Sequence, residues 1–505
     1  MTAHSSVAFD LVIVGGGING AGIARDAAGR GLRVMLVEQD DLASATSQWS
    51  SKLIHGGLRY LEQYEFRLVR EALREREVLL RLAPHIVRPL NFVVPHDAGM
   101  RPVWMMRIGL WLYDHLGGRE TLPGSKALRF PHMEFSAGLK GDFRRGFVYA
   151  DCRVDDARLV VLNAMSAKEK GAQVLTRTRC TGARRVEGSW EVHLEDISTG
   201  MHRIVRATGI VNATGPWVTQ VLDQMPGHSV PGAVRLVKGS HIVVPKVHSQ
   251  GHAYLFQNDD GRVIFVIPFE NQFSLIGTTD VAVGSIEEAE QPTQEEIDYL
   301  LRAVNRYLAK PVEPSDVVHS YAGVRPLYDD GSADPSKVSR DYVTKVDAPG
   351  DTAPLLTIFG GKITTYRMLA ESVLEELGRF FPWMGGTWTG REPLPGGDTP
   401  HFNGFRDEMH KRYAGLSREQ VEGIVRRHGT RTTRILADAI EPGDLGRHFG
   451  AGLTEREVDY LVLEEWARTA DDILWRRTKC GLHMTPDERE AVAQHLRRRP
   501  VAAHA

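Results

Sequence analysis

Apolar residues along this chain follow three rhythms. At residues 11–14 (LVIV), 34–37 (VMLV), 210–211 (IV) and 355–359 (LLTIF) they run almost without interruption, the pattern of strands buried on both faces of a parallel sheet. Three of these runs end in small-residue turns, at 15–20 (GGGING), 213–215 (ATG) and 360–361 (GG). Ala21, Gly22, Ala24, Ala27 and Ala28 predict a helix held close to that sheet. Helical spacing recurs at 65–81, where Phe66, Val69, Leu73 and Leu80 share one side and the charged residues predict a solvated face. Residues 149–179 read as strand, helix and strand, with Asp155 and Asp156 as candidate caps and Gly171 as the stop. A hairpin is predicted around Gly188 and Ser189, and a helix at 292–309. From 238 to 280, short β-rich segments separated by turns predict an antiparallel sheet. Beyond the Pro/Gly linker at 391–397, the chain from about 401 is charged and helical in period, without strand signals.

Residues 102–117 stand apart. Trp104, Ile108, Trp111, Leu112 and Leu116 fall at helical spacing, and Met105, Met106, Leu110 and Tyr113 make the segment apolar nearly all round. Two readings are open: a buried core helix, or an interfacial element with tryptophans at headgroup depth.

Composition narrows the class. A chain of 505 residues suggests about three domains at ~150 residues each. A net charge of −2 and a pI near 6.9 give no general pull towards nucleic acid or anionic lipid, so no nucleic-acid partner is expected. Three widely spaced cysteines (Cys152, Cys180, Cys480) form neither a disulfide framework nor a zinc site, and no metal is expected. A reducing cytoplasm is the expected compartment. The N terminus lacks the order of a signal peptide. No run approaches the ~18 apolar residues of a membrane-spanning helix, so any membrane contact is expected at the surface. The basic groups Arg476, Arg477 and Lys479, with 497–499, are candidates for that contact or for plain solvated faces.

The first turn carries chemistry. Gly15, Gly17 and Gly20 form G-x-G-x-x-G between a strand and a helix, and the next strand ends in Glu38. The glycines allow the tight turn, the approach of a pyrophosphate and the packing of helix on strand. The helix start stabilises phosphate charge, and Glu38 accepts hydrogen bonds from a ribose diol. An ordinary glycine-rich turn needs none of these in register. Residues 41–60 hold too many hydroxyls and glycines to fill a core and suit close approach to a polar ligand.

Taken with the segments at 50–60 (SSKLIHGGLRY), 212–217 (NATGPW), 238–244 (KGSHIVV), 277–280 (GTTD), 323–326 (GVRP) and 359–367 (FGGKITTYR), the chain resembles the aerobic FAD-dependent glycerol-3-phosphate dehydrogenases over nearly its whole length. These belong to the glycine/D-amino-acid-oxidase-like flavoproteins. The resemblance implies an α/β FAD-binding Rossmann-like domain (1–85, 146–235 and 320–390), an antiparallel β-sheet substrate cap (86–145 and 236–319) and an all-α C-terminal domain (391–505). It implies FAD as cofactor and oxidation of sn-glycerol 3-phosphate to dihydroxyacetone phosphate. It further implies electron transfer to membrane quinone by a homodimer, peripheral on the cytoplasmic face of the inner membrane.

By motif, the resemblance assigns Gly15, Gly17, Asn19, Gly20 and Glu38 to the FAD pyrophosphate and ribose. Thr46, Ser47, Ser51, Lys52, Leu53, His55 and Gly57 would line the flavin, and Thr214, Gly215, Gly361, Lys362, Ile363 and Thr364 would close around the rest. Substrate positions carried over are Arg59, Tyr60, Thr279, Arg325 and Lys362, with His241 as catalytic base. The chemistry asks for the same residue types: a phosphate dianion needs fixed cationic donors, and oxidation of a secondary alcohol needs a proton acceptor. His55 is a rival to His241, and Arg325 is a candidate to stabilise developing alkoxide charge. Other readings are a glycerol-3-phosphate oxidase, an amino-acid-type amine oxidase and a non-catalytic flavoprotein.

Overall fold

The computed structural model describes residues 8–97, 100–118, 120–230, 232, 234–329 and 341–498, apart from the side chains of Arg59 and Gln63. Two large sheets organise the chain. In the first, Leu355–Phe359, His202–Asn212, Phe9–Val14, Val34–Val37 and Gln173–Leu175 lie side by side and parallel, with Val343–Asp347 antiparallel at one edge. Helices Ile18–Gly29, Asp156–Glu169 and Tyr366–Leu377 cover one face through a shared apolar core. The hairpin Thr178–Val186 and Ser189–Asp196 covers the other, with Trp190 fully buried. Continuous apolar runs are required because both faces are covered.

The second sheet has ten strands, antiparallel except where Ala253–Gln257 pairs with Val87–His96. Its spine is Val234–Pro245, flanked by Phe273–Gly277 and His319–Tyr328. Helix Gln294–Asn305, started by a Thr293/Glu296 capping box, packs on one face. Helices Phe66–Leu82 and Val103–Leu116 pack on the other. The C-terminal segment is built from helices such as Arg418–His428, Glu455–Glu464 and Pro486–Arg497, and its core is continuous with that of the first helix layer. It also holds a small hairpin, His448–Gly450 with Leu453–Thr454, whose strands are too short for any alternation to register in sequence.

Three expectations need correction. The buried-helix reading of residues 102–117 does not hold: Met106, Leu110 and Tyr113 are buried, whereas Trp104, Ile108 and Trp111 are 60%, 52% and 59% exposed. The charged face of Phe66–Leu82 is not simply solvated. Glu75, Arg76 and Glu77 are buried; Arg76 donates to Asp151 at 2.7 Å and Glu75 accepts from Arg367 at 2.8 Å. Nor are Arg477 and Lys479 available to a membrane. Arg477 is fully buried and donates to Asp41, and Lys479 donates to Asp155 at 2.7 Å. Charge in helical period looks the same in sequence whether water or a carboxylate answers it.

Asp41 is itself fully buried and accepts from both Arg476 and Arg477. Removing it takes from fully buried Arg477 its two-oxygen partner, leaving the Glu465 carboxylate only at 4.0 Å, while Arg476 keeps Asp472. Asp41→Ala is therefore expected to destabilise the protein by about 3–5 kcal/mol, read as an earlier urea transition. Exposed Lys411→Ala is expected to stay within about 0.5 kcal/mol.

Candidate active site

The carboxyl ends of the parallel strands open onto a cavity of about 380 Å³, lined by Gly15, Glu38, Thr46, Thr214 and Gly361 among others. Strand ends of this kind are where open α/β sheets bind ligands. Gly15 has φ +111°, and a Cβ there would lie 2.6 Å from the Ala213 carbonyl oxygen, so the first turn and the 213–215 turn touch through backbone. Helix Ile18–Gly29 begins at Gly17 with no side chain capping it. Ser47 Oγ accepts from the Ile18 amide at 3.0 Å, while Asn19 gives its amide to the Gly360 carbonyl at 3.1 Å and leaves its own buried oxygen without a partner. An uncapped helix start facing a cavity is an anion site in waiting. At the far end, Glu38 accepts from the Gly16 and Asp40 amides at 2.6 and 2.9 Å. Burial pushes its carboxyl up to about 7, against the pull of those two amides.

A second cavity of about 660 Å³ lies between the second sheet, the 55–66 segment and helix Val103–Leu116, lined by His55, Gly57, Tyr60, Phe265, Thr278 and Arg325, among others. Arg325 comes from strand His319–Tyr328; its guanidinium donates to Asp280 at 2.5 Å and to the Thr278 hydroxyl at 3.3 Å. Lys362, in the turn after Leu355–Phe359, holds its ammonium 3.9 Å from the centre of the Tyr60 ring. The side chain of Arg59 lies outside the described residues.

The two candidate histidines differ in setting. His55 faces the second cavity, and its amide donates to Thr364 Oγ1 at 3.4 Å. Burial lowers its pKa, Asp151 opposes that shift and Lys362 adds to it. His241 is 2% exposed and is not among the residues lining that cavity. Its Nε2 shares a 2.9 Å hydrogen bond with Ser51 Oγ, its ring stacks 4.9 Å from Tyr321, and its Nδ1 has no partner. Burial, then Arg325 and Lys52, hold it well below the ordinary histidine range.

Other candidates sit deeper. Thr279 is 1% exposed; its hydroxyl donates to Glu296 at 3.0 Å and accepts from the Ser240 amide at 2.9 Å, so Thr278 and Asp280 meet the cavity in its place. Leu53 belongs to the core of the second sheet. The Lys52 ammonium is buried against Asp156 and the Gln48 carbonyl. Ile363 packs on the core of the first helix layer.

Comparison with known proteins decides the family. Residues 10–367 match the model described as FAD dependent oxidoreductase, and 387–497 match the C-terminal domain of alpha-glycerophosphate oxidase. A glycerol-3-phosphate dehydrogenase of Pseudomonas aeruginosa is 53% identical over 97% of this chain and 95% of its own length. The chain belongs to the FAD-dependent glycerol-3-phosphate dehydrogenase family. A D-erythritol 1-phosphate dehydrogenase of Brucella abortus is also 53% identical, over 96% of this chain and 97% of its own. The crystal structure of the glycerol-3-phosphate dehydrogenase from Bacillus halodurans complexed with FAD superposes with a TM-score of 0.75 at 26% identity, covering 98% of this chain and 94% of that one.

The cofactor of this family member is FAD. The first cavity suits it: an uncapped helix start for the pyrophosphate, Glu38 for the ribose and open space beside Gly215. Sequence reasoning missed a second tier. Tyr113 donates to Asp151 at 2.6 Å and accepts from the Gly56 amide at 2.9 Å, so a helix of the second sheet fixes the loop that carries His55. The only sequence signal was Tyr113 falling three residues after Leu110 on the buried stripe.

Glu38 ties FAD binding to pH. Both ribose hydroxyls can donate to a carboxylate, and more strongly than to the acid, which keeps one carbonyl acceptor, so binding favours loss of a proton from a carboxyl that burial pushes up to about 7. FAD affinity of the stripped protein is expected to fall as pH drops below about 7 and to level off above it. In Glu38→Gln, flavin-fluorescence titration is expected to give weaker binding without that slope.

Proposed function

We propose that this protein oxidises sn-glycerol 3-phosphate to dihydroxyacetone phosphate and passes the electrons to membrane quinone. The observation carrying this reading is the juxtaposition, on one cavity wall, of Arg325, Tyr60 and His55, with Lys362 against the Tyr60 ring. Lys362 and Arg59 bind the phosphate in this reading, because a dianion is held by fixed cations. Arg325, aimed by Asp280 and Thr278, stabilises negative charge developing on the C2 oxygen. His55 accepts the C2 hydroxyl proton; its lowered pKa keeps the imidazole neutral at pH 7 and ready for it. His241, clamped by Ser51 and Tyr321, orients the wall and is the alternative acceptor. FAD held by the cavity of Gly15, Glu38 and Thr214 would supply the two-electron acceptor for hydride from C2.

A second substrate has specific support. The 53% identity to a D-erythritol 1-phosphate dehydrogenase equals that to the glycerol-3-phosphate enzyme, and a cavity of about 660 Å³ has room for a fourth carbon. Glycerol 3-phosphate is expected to bleach the flavin of anaerobic enzyme faster, at limiting concentration, than erythritol 1-phosphate; the reverse order assigns the longer substrate, and no bleaching by either overturns the reading. His55→Asn is expected to slow reduction by about 10²–10⁴, with the wild-type rate flat above pH 7 and falling in acid as His55 protonates. A loss of that size in His241→Asn alone moves the proton acceptor there.

The membrane part of the proposal rests on helix Val103–Leu116. Its outward Trp104, Ile108 and Trp111 form an apolar strip next to Met105 and Leu112 of the cavity wall, and no helix among the described residues is long and apolar enough to cross a bilayer. Such a helix lies in the interface with its aromatic side in lipid. We further propose a homodimer on the cytoplasmic face. Trp104→Ala with Trp111→Ala is expected to weaken vesicle co-sedimentation by about tenfold or more while flavin bleaching is retained.

A further inference from the structure

Like charges directly opposite one another on neighbouring strands repel, and folded chains seldom leave them so. Arg88 and Arg153 are such a pair, in register on the antiparallel strands Val87–His96 and Arg145–Val154. Arg153 makes no hydrogen bond or ion pair among the described residues. Arg88 donates only to the His85 carbonyl, at 3.3 and 3.1 Å, with its guanidinium 5.3 Å from the centre of the Phe402 ring. Arg426, from helix Arg418–His428, donates to Glu422 at 2.5 Å and to Asn271 at 3.2 Å. All three arginines line a cavity of about 470 Å³ between the second sheet and the C-terminal segment. Burial, then the repulsion of Arg426 and Arg153, brings the Arg88 guanidinium down to about 10.

Two of the four carboxylates in the wall are taken: Glu422 accepts from Arg426 and His410, and Asp155 accepts from Lys479, while Glu419, exposed on the helix of Arg426, pairs with none of the three arginines among the described residues. Glu270, also in the wall, makes no ion pair with Arg153, and burial pushes its carboxyl up, away from the charged form. His85 lines the same cavity, is 1% exposed and has no partner at either ring nitrogen. A buried polar group of that kind is normally satisfied by something.

We propose that this cavity is a second anion site, which takes a phosphate monoester between Arg88 and Arg153 of the sheet and Arg426 of the C-terminal helix. An arginine trio matches the several oxygens of a phosphate with forked donors, and the anion removes the cross-strand repulsion while bridging two parts of the chain. The phosphate belongs either to a small phosphorylated molecule or to a lipid headgroup. The site is separate from the wall that carries Arg325, and it stands without the substrate assignment made above.

The test uses FAD-loaded enzyme in phosphate-free buffer, titrated with inorganic phosphate by calorimetry and by its effect on the melting temperature. Two phosphates per chain are expected. Lys362→Ala should remove one; Arg153→Ala and Arg426→Gln should each weaken the other by about tenfold or more without changing flavin content. If Arg153→Ala does not fold, Arg426→Gln decides. Vesicles with and without phosphatidic acid form the second arm: a preference for phosphatidic acid that both variants lose assigns the site to a headgroup, and no such preference assigns it to a soluble phosphate. A single phosphate site, lost in Lys362→Ala and untouched in both other variants, overturns the proposal and leaves the substrate reading standing. A single site lost only in the Arg153 and Arg426 variants supports the proposal and counts against Lys362 as a phosphate ligand.

Discussion

The first turn of this protein must bring backbone, not side chain, to a charged ligand. Amides at a helix start hold a pyrophosphate only where they stay open to it; helix Ile18–Gly29 starts at Gly17, which has no side chain to cap it, although the Ile18 amide donates to Ser47 Oγ. The space is kept open by contacts made on the other side. A Cβ at Gly20 would overlap the Gly15 carbonyl, and Gly15 lies against Ala213 at the end of a strand some two hundred residues later. Parallel pairing of Phe9–Val14 with His202–Asn212 therefore decides where the anion site is, and the third turn, at Gly360 and Gly361, closes on Asn19. One close approach of backbone to backbone sets the position of everything the flavin touches.

From that fixed point the wall of the second cavity is built by a second sheet with its own core. Val234–Pro245 carries His241 and pairs with His319–Tyr328, which carries Arg325. Buried polar hubs tie this sheet to its helices. Glu296 accepts from Ser240, Thr279 and Lys238, at 2.8, 3.0 and 2.8 Å, and so fixes the turn that presents Thr278 and Asp280 to Arg325. Tyr113 and Asp151 hold the His55 loop from the opposite face. The helix that supplies Tyr113 also shows Trp104 and Trp111 to the outside, so one element serves both the site and the surface.

Much of this was legible in sequence because it is local. Continuous apolar runs, alternation, glycine at strand ends and a terminal acid are each properties of a few adjacent residues, and they located the parallel strands, the hairpin and the three turns where the structure has them. Charged residues were read less well. Arg76, Glu75, Arg477 and Lys479 have the spacing of solvated helix faces, yet each meets an opposite charge from a distant segment. Periodicity reports which residues share a side of a helix; it carries no information about what faces that side. The same limit applied to residues 102–117, where an all-round apolar helix was compatible with burial or exposure until its neighbours were known.

The sequence by itself determined a dinucleotide site, since its backbone turns need glycine at fixed intervals, and the resemblance of its motifs pointed to FAD and the family. Only the tertiary structure decided which side chains meet the second cavity. His241, preferred in sequence, is buried on strand Val234–Pro245, whereas its rival His55, in the loop after Leu53–Ile54, lines that cavity; Thr279 is likewise drawn inward by Glu296, and Thr278 beside it lines the cavity instead.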